Sequence, residues 1–246
     1  MSPIASSNRF AVGFAASRQE VLEAQRLRYR VFAQEMGARL PGAGRGIDED
    51  EFDAHCDHLL VRDRLSGVVA GTYRVLPPEA AGSTGGLYAD REFDLTCLQP
   101  LRFGMVEVGR ACVHPAYRNA AVMLFMWSAL ARYMVEGGYG HFVGSASISL
   151  DDGGHLAASV FRRVSGERLS PEDLRVFPRN RFPLDRFEPR EPAGIPPLLK
   201  GYLGMGAWVC GEPALDPDFN CADLPILLSR DRLDERFARH FLKRAA

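Results

Sequence analysis

The chain has 246 residues, 46% of them hydrophobic, so it can bury a full core and is long for one domain but short for two. A formal net charge of −1 argues against a general nucleic-acid binder. Five scattered cysteines without a C-x-x-C pair favour a reduced intracellular protein, and the lack of a long apolar run argues against secretion and membrane spanning.

The first predicted elements are a strand over 9–16 and a helix over 17–36. Ser17 is the predicted N-cap, because a glutamate follows it at the capping-box spacing. Arg28 and Phe32 form an i, i+4 pair beside the apolar stripe of this helix, so we expect Arg28 to be partly buried.

An acidic and histidine-rich run follows a glycine-rich loop at 42–46. Its members are Asp48, Glu49, Asp50, Glu51, Asp53, His55, Asp57 and His58. Three interpretations stay open: a metal site, although no EF-hand or H-E-x-x-H spacing is present, a solvated acidic loop, or carboxylates that pair with the arginines of the first helix or accept the ammonium of a small substrate.

A hairpin is predicted next, with strands over 58–61 and 68–76 and a turn at 64–67. Arg74 is a charge inside the second of these apolar strands. The segment 91–98 has the pattern of a short helix.

A strand over 105–113 and a helix over 117–134 form the central unit of the sequence. Glu107 and Arg110 interrupt the strand at a spacing of three, so they face opposite sides unless a bulge lies between them. Arg118 and the backbone N–H groups of 119–122 lie at the start of the helix, where they can hold a phosphate.

The remaining elements alternate in the same way. We predict a strand over 140–148, a helix over 151–164, irregular surface over 162–190, two strands within 195–228 and an amphipathic helix over 231–243.

Several blocks, taken together and in order, resemble the ornithine Nα-acyltransferases of bacterial ornithine-lipid synthesis. They include RLRYRVFAQEMG, DEDEFD with HCDHLLV, GTYRVL, EFDL, EVGRACVHPAYR and the run from IPPLLKGYL to ADLPILL. The resemblance covers the chain from about Arg9 to His240. The sequence also resembles, more distantly, the N-acyl amino acid synthases and the acyl-homoserine lactone synthases.

The resemblance implies a GNAT-like α/β fold, in which helices flank a central mixed sheet. We expect one domain over 1–246, with a core over about 1–150 and a C-terminal extension over about 151–246 packed on it. We also expect a cytoplasmic location and, because the product is amphiphilic, peripheral contact with the cytoplasmic face of the inner membrane.

Site residues follow from the same resemblance. Glu107 and Arg110 match the Glu-x-x-Arg on the central strand of the acyl-homoserine lactone synthases and are the expected catalytic residues, with Glu107 as the base. The expected substrate-binding residues are Arg28, Phe32, Asp50, Asp53 and Arg74, with the arginines paired to Asp50, Asp53 and Glu107. The expected donor-binding residues are Val113, Arg118, Asn119, Ala120 and Ala121.

The donor turn departs from the usual GNAT pattern, because its sequence RNAAVM has no glycine. Glycines let the backbone approach the pyrophosphate of coenzyme A. We therefore expect a donor with a single phosphate, namely the phosphopantetheine of acyl carrier protein, and neither a cofactor nor a metal ion.

The predicted reaction moves a 3-hydroxy fatty acyl group from acyl carrier protein to the α-amine of L-ornithine, giving lyso-ornithine lipid in the first step of ornithine lipid biosynthesis. Two alternatives stay open. One is an N-acyl amino acid synthase with another acceptor, and the other is a non-catalytic module that binds acyl groups or the carrier protein.

Overall fold

The computed structural model describes residues 9–188 and 194–234, together with the backbone of 5–6. The strands are β1 (Ala5–Ser6), β2 (Phe10–Phe14), β3 (Asp57–Asp63), β4 (Val69–Leu76), β5 (Phe93–Asp94), β6 (Met105–Val113), β7 (His141–Ser149), β8 (Phe177–Pro178), β9 (Trp208–Val209), β10 (Ala214–Asp216) and β11 (Cys221–Ser229). The α-helices are α1 (Arg18–Tyr29), α2 (Pro78–Ala81), α3 (Ala89–Glu92), α4 (Ala120–Glu136), α5 (His155–Arg168) and α6 (Pro197–Gly204).

Two compact units make up the chain. Within the described residues, the first unit holds the chain up to residue 85 and residues 108–139, and the second holds 86–107 and the chain from residue 140. Strand β6 contributes its first three residues to the second unit and the rest to the first.

In the first unit, β1 to β4 form an antiparallel succession in chain order. Gly71 of β4 faces α4, where Val122 and Met126 lie against it. Arg74 lies three positions further along β4, so by strand alternation it faces the other side and reaches the α1 side of the sheet. Helices α1 and α4 therefore cover opposite faces of β4.

Strand β6 has an irregular backbone at Arg110, where φ is +50°. A non-glycine residue in this conformation costs roughly 1–2 kcal/mol and breaks the alternation of side chains along the strand. From their spacing, Glu107 and Arg110 were predicted to face opposite sides of the strand unless a bulge lies between them. The backbone conformation of Arg110 supplies such an irregularity.

In the second unit, β7 pairs in parallel with the start of β6 and antiparallel with β11 along its whole length. Strands β9 and β10 both pair with β11. The parallel pairing runs from Met105↔His141 to Glu107↔Val143, so Glu107 is its last residue. Helix α5 packs against β7 and β9.

Most predicted elements are present, and three regions differ from the prediction. The segment 91–98 is the end of α3, strand β5 and the start of a 3-10 turn, because it is too short to continue one helix. Helix α5 continues to residue 168, within the predicted irregular surface, and that surface also holds the short strand β8. Helix α6 occupies part of the region predicted as two strands, which contains three. Most of the predicted helix over 231–243 lies outside the described residues.

None of the helices in the described part of the chain combines the length and the apolar character needed to cross a bilayer.

Gly71 tests the packing of α4 on the first unit. A Cβ at this position would lie 2.8 Å from Val122 Cγ1 and 3.0 Å from Met126 Sδ. We expect Gly71→Ala to lower the free energy of unfolding by about 1–3 kcal/mol through overpacking, measured by urea denaturation. Gly13→Ala in β2 is the matched control, because no atom lies within 4 Å of its added Cβ. Equal effects of the two substitutions would contradict the packing described.

Candidate active site

Six charged side chains of the first unit form a connected group, which we call the arginine–aspartate cluster. Its members are Arg28 of α1, Arg74 of β4, Arg110 of β6, and Asp48, Asp50 and Asp53 of the loop before β3. Their formal charges cancel. Since buried charges are tolerated when they are paired, this balance explains how the unit holds so many of them.

Arg28 is the most deeply buried member, with 0% relative exposure. Its Nε lies 2.9 Å from Asp48 Oδ2, and its Nη1 lies 2.7 Å from Asp53 Oδ1. Burial lowers the pKa of Arg28, but the charges of Asp48 and Asp53 more than offset this and raise it. The guanidinium therefore stays charged and holds the two carboxylates in place.

Arg74 and Arg110 complete the cluster from the two strands. Arg74 Nη1 lies 2.6 Å from Asp50 Oδ1 and 3.4 Å from Asp53 Oδ2. Arg110 Nε lies 3.3 Å from Asp48 Oδ2, and its Nη2 lies 3.4 Å from Asp50 Oδ2. The positive φ of Arg110 thus accompanies a side chain that reaches two aspartates.

His58 of β3 lies beside the cluster and was not among the predicted site residues. Its Nε2 is 3.0 Å from the Asp53 carbonyl oxygen. Burial lowers the pKa of His58, and Arg28 contributes in the same direction. The ring is therefore neutral at physiological pH. Opposite it in the β3–β4 register lies Arg74, a pairing that the alternating pattern of the hairpin could have indicated.

Phe32 lies in a π-helical turn (Arg30–Glu35) that continues α1. Single π turns inside helices occur often at functional sites, and nothing in the local sequence indicates this one. Phe32 is buried, as is Val31 next to it. The predicted proximity of Arg28 and Phe32 on one helical segment is present, whereas the substrate role of Phe32 stays a prediction.

Glu107 belongs to the second unit, where backbone groups hold its carboxylate. The N–H of Tyr88 donates to its Oε2 and the N–H of Ala89 to its Oε1, both at 2.7 Å. The side chain is buried. These two N–H groups fix the orientation of the carboxylate.

Several polar groups of the predicted donor turn already have partners within the protein. Asn119 is the N-cap of α4, and its Oδ1 accepts hydrogen bonds from the N–H groups of Ala121 and Val122 at 3.0 and 3.3 Å. Arg118 Nη1 lies 2.6 Å from Glu35 Oε1. Asparagine is a strong helix cap, which explains why these N–H groups already have a partner. Ala120 is the first residue of α4, and Val113 the last residue of β6.

Among the three interpretations of the acidic run, pairing with arginines is correct for Asp48, Asp50 and Asp53, although two of the three arginines come from strands. Asp48 was not singled out by the sequence, because it is one of many acids in that run. The described residues also contain one group whose side chains could hold a metal ion, Asp216, Cys221 and Asp223, with ligand atoms within 4.8 Å of one another.

Comparison with known proteins identifies the class. Residues 27–128 match the family model described as an acetyltransferase (GNAT) domain. Acyl-homoserine lactone synthase LasI has the same fold, with a TM-score of 0.53 at 14% identity over 95% of both chains. FeeM, an N-acyl amino acid synthase from uncultured soil microbes, has a TM-score of 0.54 at 13% identity over 92% of this chain and 94% of its own. The chain thus has a GNAT-type fold, and the predicted fold class is confirmed.

Sequence relatives narrow the class to one family. An L-ornithine Nα-acyltransferase of Rhodobacter capsulatus is 33% identical over 96% of this chain and 95% of its own length. Another, from Rhizobium meliloti, is 34% identical over 92% of this chain and 82% of its own length. The chain belongs to the L-ornithine Nα-acyltransferase family, which confirms the resemblance read from the sequence.

Asp53 makes the stability of the protein dependent on pH. Burial raises the pKa of Asp53, but Arg28, through its charge and hydrogen bonds, and Arg74 lower it from 3.8 to about 2. A carboxyl whose pKa is lower in the folded state adds stability that is present above pH 4 and is lost as the pH falls toward 2. We expect a loss of about 2 kcal/mol from this group in urea denaturation across that window.

Asp53→Asn should remove this part of the pH dependence while lowering stability at neutral pH. The matched control is Asp173→Asn, at an exposed position where we expect little effect on folding. Parallel stability curves for the wild type and Asp53→Asn between pH 5 and pH 2 would show that the cluster does not lower the pKa of Asp53.

Proposed function

We propose that the protein transfers a 3-hydroxy fatty acyl group from acyl carrier protein to the α-amine of L-ornithine, releasing lyso-ornithine lipid. The observation that carries this proposal is the relationship, over nearly the whole chain, to proteins named L-ornithine Nα-acyltransferase. In this reaction the amine nitrogen forms a bond to the thioester carbon, the carbon–sulfur bond breaks, and the carrier thiol leaves.

The attacking amine must first lose a proton, since an α-amino group has a reference pKa of about 8 and is mostly protonated at neutral pH. Glu107 is the proposed base. Its carboxylate is oriented by the N–H groups of Tyr88 and Ala89, so little reorganisation is needed when it accepts the proton. The nitrogen loses a second proton when the amide forms, so that one of the two protons passes to the leaving thiolate and the other to solvent.

In this proposal the arginine–aspartate cluster orders the first unit for binding the acceptor. Asp50 joins Arg74 and Arg110 while both arginines also reach a second aspartate. A guanidinium can bind a carboxylate through two parallel hydrogen bonds, so an arginine of the cluster is suited to the carboxylate of the amino acid. Arg110 takes this role best, because its side chain is the most exposed of the three.

The turn before α4 supports a donor with one phosphate. Its first N–H groups are partly used by Asn119, and it has no glycine that would let backbone approach a pyrophosphate. Arg118 and the remaining first-turn N–H groups can still hold a single phosphate at the positive end of the helix. Acyl carrier protein presents such a phosphate on its phosphopantetheine, and peripheral contact with the inner membrane would suit the amphiphilic product.

The donor is tested by comparing 3-hydroxyacyl carrier protein with the matching 3-hydroxyacyl coenzyme A, each with ornithine, and following release of the free thiol. We expect a kcat/KM at least tenfold higher for the carrier-bound donor. Equal or higher efficiency with coenzyme A would contradict the donor assignment and leave the acceptor assignment untouched.

Substitution of Glu107 tests the proposed base. We expect Glu107→Gln to lower kcat by about 10²–10⁴-fold with little change in the KM for the donor, because the amide cannot take the proton. Glu167→Gln, at an exposed position of α5, is the control and should keep wild-type kinetics. Turnover of Glu107→Gln within a factor of two of wild type would exclude Glu107 as the base.

A further inference from the structure

One face of the sheet in the second unit carries a row of polar side chains next to Glu107. Glu107 is paired with Val143 of β7, so the two side chains share a face, and Ser145 and Ser147 follow on that face by strand alternation. Ser147 is paired in turn with Asp223 of β11. Ser147 is exposed and Ser145 partly so, whereas Val143 and Asp223 are buried, so the row is accessible at its serines.

Glu92 of α3 packs onto the same face. Ser145 Oγ donates a hydrogen bond of 2.8 Å to Glu92 Oε2, and Ser147 Oγ donates one of 2.5 Å to Asp223 Oδ1. The short helix that carries Glu92 begins at Ala89, whose N–H binds the Glu107 carboxylate. The backbone that positions the proposed base thus also positions Glu92.

Glu92 lacks a cationic partner among the residues that the structure describes. Its Oε2 accepts a hydrogen bond from Ser145, its Oε1 accepts none from the described residues, and the residue is partly buried. Burial raises the pKa of Glu92 well above its ordinary value, and the charges of Asp223, Asp216 and Glu107 raise it further. This differs from the arginine–aspartate cluster, where every carboxylate meets a guanidinium.

We propose that Glu92 and Asp223 bind the side-chain ammonium of the acceptor amino acid, so that they select ornithine over acceptors that lack this group. The inference rests on the function proposed above and deepens it. A cation between these carboxylates would supply the partner that Glu92 lacks and remove the cost of burying like charges together.

The spacing of the row fits the length of ornithine. Its two nitrogens are separated by a chain of four carbons, about 6 Å when extended at ordinary bond lengths. Glu107 is paired with Val143, and Glu92 accepts a hydrogen bond from Ser145. Val143 and Ser145 are two residues apart on β7, which is roughly 6.6 Å at the rise of a strand. The α-amine can therefore face Glu107 while the side-chain ammonium lies at Glu92.

The test compares ornithine with norvaline, which has the same carbon chain and no side-chain amine. Wild-type protein and the variants Glu92→Gln and Asp223→Asn are assayed with both acceptors, with Glu167→Gln as the control. We expect each variant to lower kcat/KM for ornithine by about 10- to 100-fold, mainly through KM, because a charge-assisted hydrogen bond is lost. Efficiency with norvaline should stay unchanged or rise.

Equal losses with both acceptors would indicate a structural effect and overturn the proposal, as would an unchanged ratio between ornithine and norvaline. If the wild type acylates both acceptors equally well, the acyltransferase function stands and this inference fails. If it acylates neither, the proposed function itself fails. Loss of the ornithine preference after EDTA treatment would assign Asp223 to a metal site with Asp216 and Cys221 and would also overturn the proposal.

Discussion

The burial of the Arg28 guanidinium is the interaction on which the first unit depends. A fully buried arginine must be neutralised, and Asp48 and Asp53 do this from a loop that has no regular secondary structure of its own apart from short turns. Charge pairing therefore holds that loop in place. Its third aspartate, Asp50, lies against Arg74 and Arg110. Removing one member would leave an uncompensated charge, so the six residues are expected to behave as one unit.

Strand β6 connects this cluster with the proposed base. Its first part ends the parallel pairing at Glu107, and its later part carries Arg110 with a backbone conformation that costs energy for any residue except glycine. An arginine is present there although glycine would be less strained. This is what we expect where the side chain matters more than the backbone energy, and Arg110 is also the most exposed arginine of the cluster.

Much of the fold and part of the site could be predicted from the sequence. Arg74, Glu107 and Arg110 were identifiable because charges inside apolar strands need partners, and the resemblance to a known family assigned Asp50 and Asp53. The roles of Asp48 and Glu92 could not be predicted, because sequence periodicity indicates local structure and does not show which distant residue a carboxylate contacts. The π turn at Phe32 and the occupation of the donor turn by Asn119 depend on hydrogen bonds that no residue pattern specifies.

The central claim, that the protein N-acylates ornithine, is tested most directly by a competition experiment. Purified protein is incubated with 3-hydroxyacyl carrier protein and an equimolar mixture of amino acids, and the products are identified by mass. We expect N-acylornithine to dominate. A mixture dominated by an acylated amino acid without a second amine would contradict it.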